Sequence, residues 1–120
     1  MTTIMIVEDE PMIRHMGAEI LADAGYDVIE AEDAGDALSV LEQRRDVKLL
    51  FTDVRMPGAM DGLELAERVH DRWPKIRLLV TSGHTRLSNA EVPDAGEFMP
   101  KPYNWRDLQV RVERMLSTVH

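Results

Sequence analysis

With 120 residues the chain fits one domain spanning 1–120, large enough to bury about two-thirds of its unfolded surface without disulfides or a structural metal. Its 22 acidic against 14 basic residues give a formal charge of −8, which argues against charge-driven nucleic-acid binding and points to protein partners. Cysteine is absent, which excludes a disulfide framework, a thiol nucleophile and a thiolate metal site. No stretch approaches the length of a membrane span and no basic segment with an apolar core opens the chain, so the cytoplasm is the expected compartment, with no membrane partner.

Strand-like and helix-like segments alternate along the chain. The run Thr3 to Val7 predicts a first strand, and a helix follows with Pro11 in its first turn, Ile13, Met16, Ile20, Leu21 and Ala24 on one side, and a stop at Gly25. Residues 26–31 form the second predicted strand. Asp33 with Asp36 then caps a helix bearing Ala34, Ala37, Leu38 and Leu41.

A third strand over 47–52 is almost wholly apolar, and Asp53 closes it just before Met56-Pro57-Gly58. Such a run reads as a parallel strand buried on both faces. Asp61 followed by Glu64 resembles a capping box and opens a helix with Leu65, Ala66 and Val69 that stops near Trp73-Pro74. Residues 76–80 make the fourth strand.

The stretch 82–96 is polar, broken by Pro93 and weakly periodic beyond Leu87 and Val92, so any helix there is expected to be short or mobile. A fifth strand over 97–99 runs into Pro100, which suits an edge. Asn104 with Asp107 caps a final helix carrying Leu108, Val112, Met115, Leu116 and Val119, whose Arg106, Arg111 and Arg114 read as a solvated face. Met5, Met16 and Met115 are expected to fill core gaps, and His15, His70, His84 and His120 lack metal-ligand spacing.

Five βα units with right-handed crossovers give an α/β, doubly wound parallel sheet with helices on both faces. The alternation leaves strand order open. If the order is 2-1-3-4-5, the carboxyl ends of strands one and three are neighbours, and Glu8, Asp9 and Asp53 share one crevice suited to a hard cation.

Four short motifs stand in order at the ends of predicted strands: Glu8-Asp9; Asp53 with Met56-Pro57 and Asp61-Gly62; Thr81-Ser82-Gly83; and Lys101-Pro102. Together they resemble the response-regulator receiver family across essentially the whole chain. The resemblance implies the flavodoxin-like order 2-1-3-4-5 and a phosphoacceptor role for Asp53, served by a histidine kinase or a histidine phosphotransfer protein. It also implies Mg²⁺ or Mn²⁺ held by Glu8, Asp9, Asp53 and the Arg55 carbonyl, with Lys101 and the Thr81 hydroxyl on phosphoryl oxygens. Phe98 matches the family's switch aromatic, with a packing role only because it has no hydroxyl, and the bond to Pro102 is expected to be cis.

Three departures stand out: Glu8 where many receivers have aspartate, a loop after Asp53 about one residue longer than usual, and a short interval from Thr81 to Lys101. No output domain is visible, so the chain reads as a stand-alone receiver or as a receiver fragment of a longer regulator. A pseudo-receiver that only binds partners is the alternative that the intact Asp9, Asp53, Thr81 and Lys101 disfavour. A haloacid-dehalogenase-type phosphatase would want a second aspartate where Arg55 stands, so turnover of an external substrate is not expected.

Overall fold

The computed structural model describes residues 1–56, 58, 60–83, 92 and 96–117. In chain order the elements are β1 (Thr3–Val7), α1 (Pro11–Asp23), β2 (Asp27–Ala31), α2 (Ala34–Gln43), β3 (Val47–Asp53), α3 (Gly62–Arg72), β4 (Arg77–Ser82), β5 (Glu97–Pro100) and α4 (Trp105–Ser117). All neighbouring strands pair in parallel, in the order β2-β1-β3-β4-β5, so β5 is an edge as its proline suggested. The expected short helix within 82–96 lies outside the described residues, as do Leu87, Pro93, His84, Val119 and His120.

Alternation along the strands divides the core in two. Met5, Val7, Leu50, Leu78 and Val80 pack against α2 and α3 through Ala37, Leu41, Leu65 and Val69. Ile4, Ile6, Leu49, Phe51 and Leu79 turn to the other side, where Leu21 of α1 and Leu108, Val112 and Met115 of α4 cover them. Both faces of β1, β3 and β4 are thus buried, which is why their sequences read as continuous apolar runs.

Register slips once. Thr3 pairs with Val47 but Ile4 with Leu49, which leaves Lys48 as an extra residue and the one exposed position in an otherwise buried strand.

Capping follows local chemistry. Asp33 accepts a hydrogen bond from the Asp36 amide at 2.8 Å, Asp61 from the Glu64 amide at 2.9 Å, and Asn104 from the Asp107 amide at 2.7 Å. The Asp61 capping box forms only in this half: the Glu64 carboxylate instead takes Arg68 at 3.2 Å.

Two other expectations change. Met16 is 44% exposed, because α1 buries Gly17, Ala18 and Leu21 and turns Met16 away. Arg111 and Arg114 are not merely solvated, since both guanidinium groups pair with Glu97 and tie α4 to the edge strand.

The connection from β3 to α3 folds tightly over the strand tip. The Gly62 amide donates to the Val54 carbonyl at 2.8 Å, and a Cβ at Gly62 would lie 1.8 Å from the Asp53 carbonyl oxygen. Gly35, inside α2, has only ordinary van der Waals space to fill, with Asp33 Oδ1 3.5 Å from its hypothetical Cβ. Gly62→Ala should therefore lower unfolding free energy by about 3 kcal/mol through forced backbone displacement, whereas Gly35→Ala should raise it by about 0.5–1 kcal/mol. Urea denaturation of both variants checks this; a neutral Gly62→Ala would show that the strand tip is not so closely covered.

Candidate functional site

The order of the sheet brings the tips of β1, β3 and β5 to one end. Glu8 follows β1 directly, its amide continuing the ladder to the Ala31 carbonyl at 3.1 Å. Asp53 ends β3, where the next amide, Val54, donates to the Thr81 carbonyl at 3.0 Å. Lys101 follows β5, its amide bonded to the Ser82 carbonyl at 3.1 Å, and the Lys101–Pro102 peptide is cis. Glu8, Asp53 and Lys101 are therefore carried by backbone already fixed in the ladder.

A crevice of about 230 Å³ results, lined by Glu8, Asp9, Glu10, Asp53, Arg55, Gly83 and Lys101. Carboxylate oxygens of Glu8, Asp9 and Asp53 lie within 4.8 Å of one another. Glu8 and Asp53 are buried while Asp9 is exposed. Lys101 reaches across the mouth, with Nζ donating to Asp53 Oδ2 at 2.8 Å and lying 3.8 Å from Glu8 Oε1. The other Asp53 oxygen, Oδ1, accepts a bond from the Arg55 amide at 3.3 Å.

So much negative charge in a desolvated space perturbs its neighbours. Burial, a hydrogen bond with Asp9 and the charge of Asp53 push the Glu8 carboxyl up to about 7, against a weaker opposing pull from Lys101. Burial would lower the Lys101 ammonium, but its bond to Asp53 and the charges of Asp53, Glu8 and Asp9 together hold it above its ordinary value. Tyr103 is pushed up as well, by burial first and then by Glu8 and Asp53. The field of the acidic crevice thus reaches into the ring cluster of Phe51, Tyr103 and Trp105.

Two of the residues that the resemblance named lie beside the crevice rather than in its lining. Thr81 is buried and its hydroxyl donates to the Met99 carbonyl at 2.6 Å, across the β4–β5 ladder, so it does not line the crevice. Phe98 packs in the core with Leu78, Val80 and Val92, also outside that lining. Packing is what its lack of a hydroxyl led us to expect.

A supporting contact escaped the sequence. Arg14 Nη1 donates to the Glu8 carbonyl at 2.8 Å, and its Nε donates to Glu30 Oε1 at 3.2 Å, which also faces His15 Nδ1 at 2.5 Å. The guanidinium thereby fastens the β1 tip to the edge strand β2. Its position on α1 gave a signal only of polarity, and its partner lies on another element. Glu10 lines the crevice too, and its amide donates to Glu8 Oε2 at 3.4 Å; its membership in the run Glu8-Asp9-Glu10 was the available clue.

Comparison with known proteins places this arrangement. Residues 4–113 match the model of the response regulator receiver domain. Over 97% of its length the chain is 38% identical to the nitrogen assimilation regulatory protein NtrX of Azorhizobium caulinodans, of which it spans only 26%. It is 31% identical, over 97% of its length, to the response regulator receiver protein CpdR of Brucella abortus, and there it covers 98% of the relative. Among solved structures it resembles the response regulator protein TrrA of Thermotoga maritima in complex with Mg²⁺-BeF, with a TM-score of 0.84 at 27% identity over 96% of this chain and 99% of that one. By its sheet order, its strand-tip residues and a family match across most of its length, the chain belongs to the response regulator receiver domain family, in which Mg²⁺ binding and phosphorylation are typical.

Proposed function

We propose that this receiver takes a phosphoryl group onto Asp53 from a histidine kinase or a histidine phosphotransfer protein of a two-component system or phosphorelay, and signals through contacts with a downstream protein. The observation that carries this reading is the buried Asp53 carboxylate, bonded to Lys101 and grouped with Glu8 and Asp9. A carboxylate attacks an anionic phosphoryl group poorly unless positive charge offsets the repulsion. In the transfer an Asp53 oxygen forms the new O–P bond as the P–N bond to the donor imidazole breaks, and the bonding pair leaves with that nitrogen. Lys101 passes from Asp53 to a phosphoryl oxygen, and the Arg55 amide holds the carboxylate in place. Positioning and charge neutralisation are the main demands of such chemistry.

The residues present fit a Mg²⁺ ion, or Mn²⁺ in its place. Glu8, Asp9 and Asp53 bring carboxylate oxygens within 4.8 Å of one another, an all-oxygen donor set of the kind that hard divalent cations prefer. Glu8, Asp9 and Asp53 with the Arg55 carbonyl would hold the ion, and the raised Glu8 value marks charge that a cation relieves. When bound, the ion neutralises the incoming phosphoryl oxygens. The Mg²⁺-BeF complex of TrrA supports this assignment.

Switching then requires Thr81 to give up the Met99 carbonyl for a phosphoryl oxygen. Phe98 precedes Met99 on the same edge strand, so that exchange is coupled to the packing of β5. No turnover of an external substrate is proposed, because Arg55 stands where a second carboxylate would have to act as general acid. The protein acts in the cytoplasm in this reading, consistent with the observation that no helix among the described residues is long and apolar enough to cross a membrane.

Incubation with Mg²⁺ and acetyl phosphate should give a single phosphoryl adduct by intact-mass measurement on the parent and none on Asp53→Ala. An equal adduct on Asp53→Ala contradicts the assignment, and a folded parent that binds Mg²⁺ yet takes no adduct favours a purely binding role.

Glu8 adds a pH dependence. Its folded value of about 7 exceeds its ordinary 4.5, so its contribution to stability is complete below 4.5 and is lost as pH rises through 7. Metal binding needs the ionised form, so the rise in melting temperature caused by Mg²⁺ should be larger near pH 8 than near pH 6. Asp9→Asn should reduce that rise at both values. Thermal melts that respond to Mg²⁺ equally at the two pH values, or equally in Asp9→Asn, would remove Glu8 or Asp9 from the site.

A further inference from the structure

The opposite end of the sheet holds a second cavity, of about 340 Å³. Arg44, Arg45, Lys48, Arg72 and Lys75 line it, five of the chain's 14 basic residues, and no carboxylate is among its described lining residues. In a chain of net charge −8 this is a marked local reversal of sign. The other described lining residues are Val47, Ile76, Pro74 and the half-buried Trp73, with the Arg72 guanidinium stacked 4.4 Å from the indole centroid. Its volume falls within the range of small-molecule sites, about 300–1,000 Å³, and an apolar lining with a few charged groups is their usual make-up.

Cations at the carboxyl ends of helices have an ordinary explanation, since the helix dipole attracts them. That explanation covers Arg44 and Arg72, which already have carboxylate partners: Asp46 at 2.6 Å and Glu42 at 3.0 Å. Arg45, Lys48 and Lys75 have no ion pair among the described residues, and all three are exposed. Lys48 is the extra residue of β3, so a break in register leaves it exposed in the lining of the cavity. Six residues of β3, at about 3.3 Å each, separate Val47 from Asp53 by roughly 20 Å, more than two Debye lengths at physiological salt. The acidic crevice therefore does little to repel an anion here.

We propose that this cavity binds a nucleoside phosphate, its ring lying on the platform of Trp73 and Arg72 and the apolar floor, and its phosphates held by Arg45, Lys48 and Lys75. A free inorganic anion would use the cations but not the platform. The volume suits a small molecule, whereas an acidic protein segment would need a longer groove. This site is independent of the phosphoacceptor reading.

The test is calorimetric titration of the full chain with ATP in EDTA, which keeps divalent cations away from the acidic crevice. Saturable binding is expected, weakening with added salt and falling by at least ~tenfold, equivalent to about 1.4 kcal/mol, in the Lys48→Glu/Lys75→Glu variant. That variant should keep the parent's circular dichroism, because both lysines are exposed and neither has an ion pair among the described residues. In a Trp105→Phe background, ATP should quench the remaining Trp73 emission. Adenosine and inorganic phosphate should each bind more weakly than ATP. The proposal is overturned by absence of saturable ATP binding, by unchanged affinity in the double variant, by inorganic phosphate binding as tightly as ATP (an adventitious ion only), or by loss of binding in Asp53→Ala. Tighter binding of an oligoglutamate peptide than of ATP would overturn it in favour of an acidic protein partner.

Discussion

Lys101 is the counter-charge on which the acidic end of this molecule depends. Three carboxylates within 4.8 Å repel one another in a crevice where two of them, Glu8 and Asp53, are buried, and one ammonium, 2.8 Å from Asp53 and 3.8 Å from Glu8, offsets part of that repulsion. The compensation is incomplete, as the upward displacement of Glu8 to about 7 indicates. An excess of negative charge facing a pre-placed cation is a poor arrangement for a structural ion pair alone. It suits a site that gains stability when further positive charge arrives and whose lysine is free to change partners afterwards.

The sheet is the reason these groups meet. Parallel pairing with β1 between β2 and β3 sets the tips of β1 and β3 side by side, and the β5 edge brings Lys101 from the far end of the sequence. Gly62 lets the chain close over the Asp53 carbonyl, and Arg14 anchors the Glu8 carbonyl to the outer strand. The same polarity collects the opposite ends of the strands into a basic region. One small fold therefore presents two electrostatically opposed ends, each built from residues distant in sequence.

Much of this was legible in the residues. Strands buried on both faces announce themselves as apolar runs, and the capping side chains Asp33, Asp61 and Asn104 work where their spacing predicted. Strand order was not legible from alternation and came with the family resemblance. Met16 misled because helical periodicity cannot fix the centre of the buried arc, which α4 and β1 place at Gly17, Ala18 and Leu21. The Thr81 hydroxyl is a choice among nearby acceptors, and only the three-dimensional ladder reveals Met99 as the one taken. The basic cavity draws on segments nearly thirty residues apart and on a register slip that no sequence pattern announces.

Thr81 and Lys101 define the molecular event in the proposed account: the hydroxyl, now bonded to Met99, and the ammonium, now bonded to Asp53, would both turn to a new group attached to Asp53. All of that rests on where the phosphoryl group bonds. The most direct measurement is reduction of the acetyl-phosphate-treated parent with borohydride, which converts an aspartyl phosphate to homoserine, followed by peptide sequencing by mass spectrometry. Homoserine at position 53 alone is the predicted result. Homoserine at Asp9 or another aspartate, with Asp53 unmodified, would contradict the account.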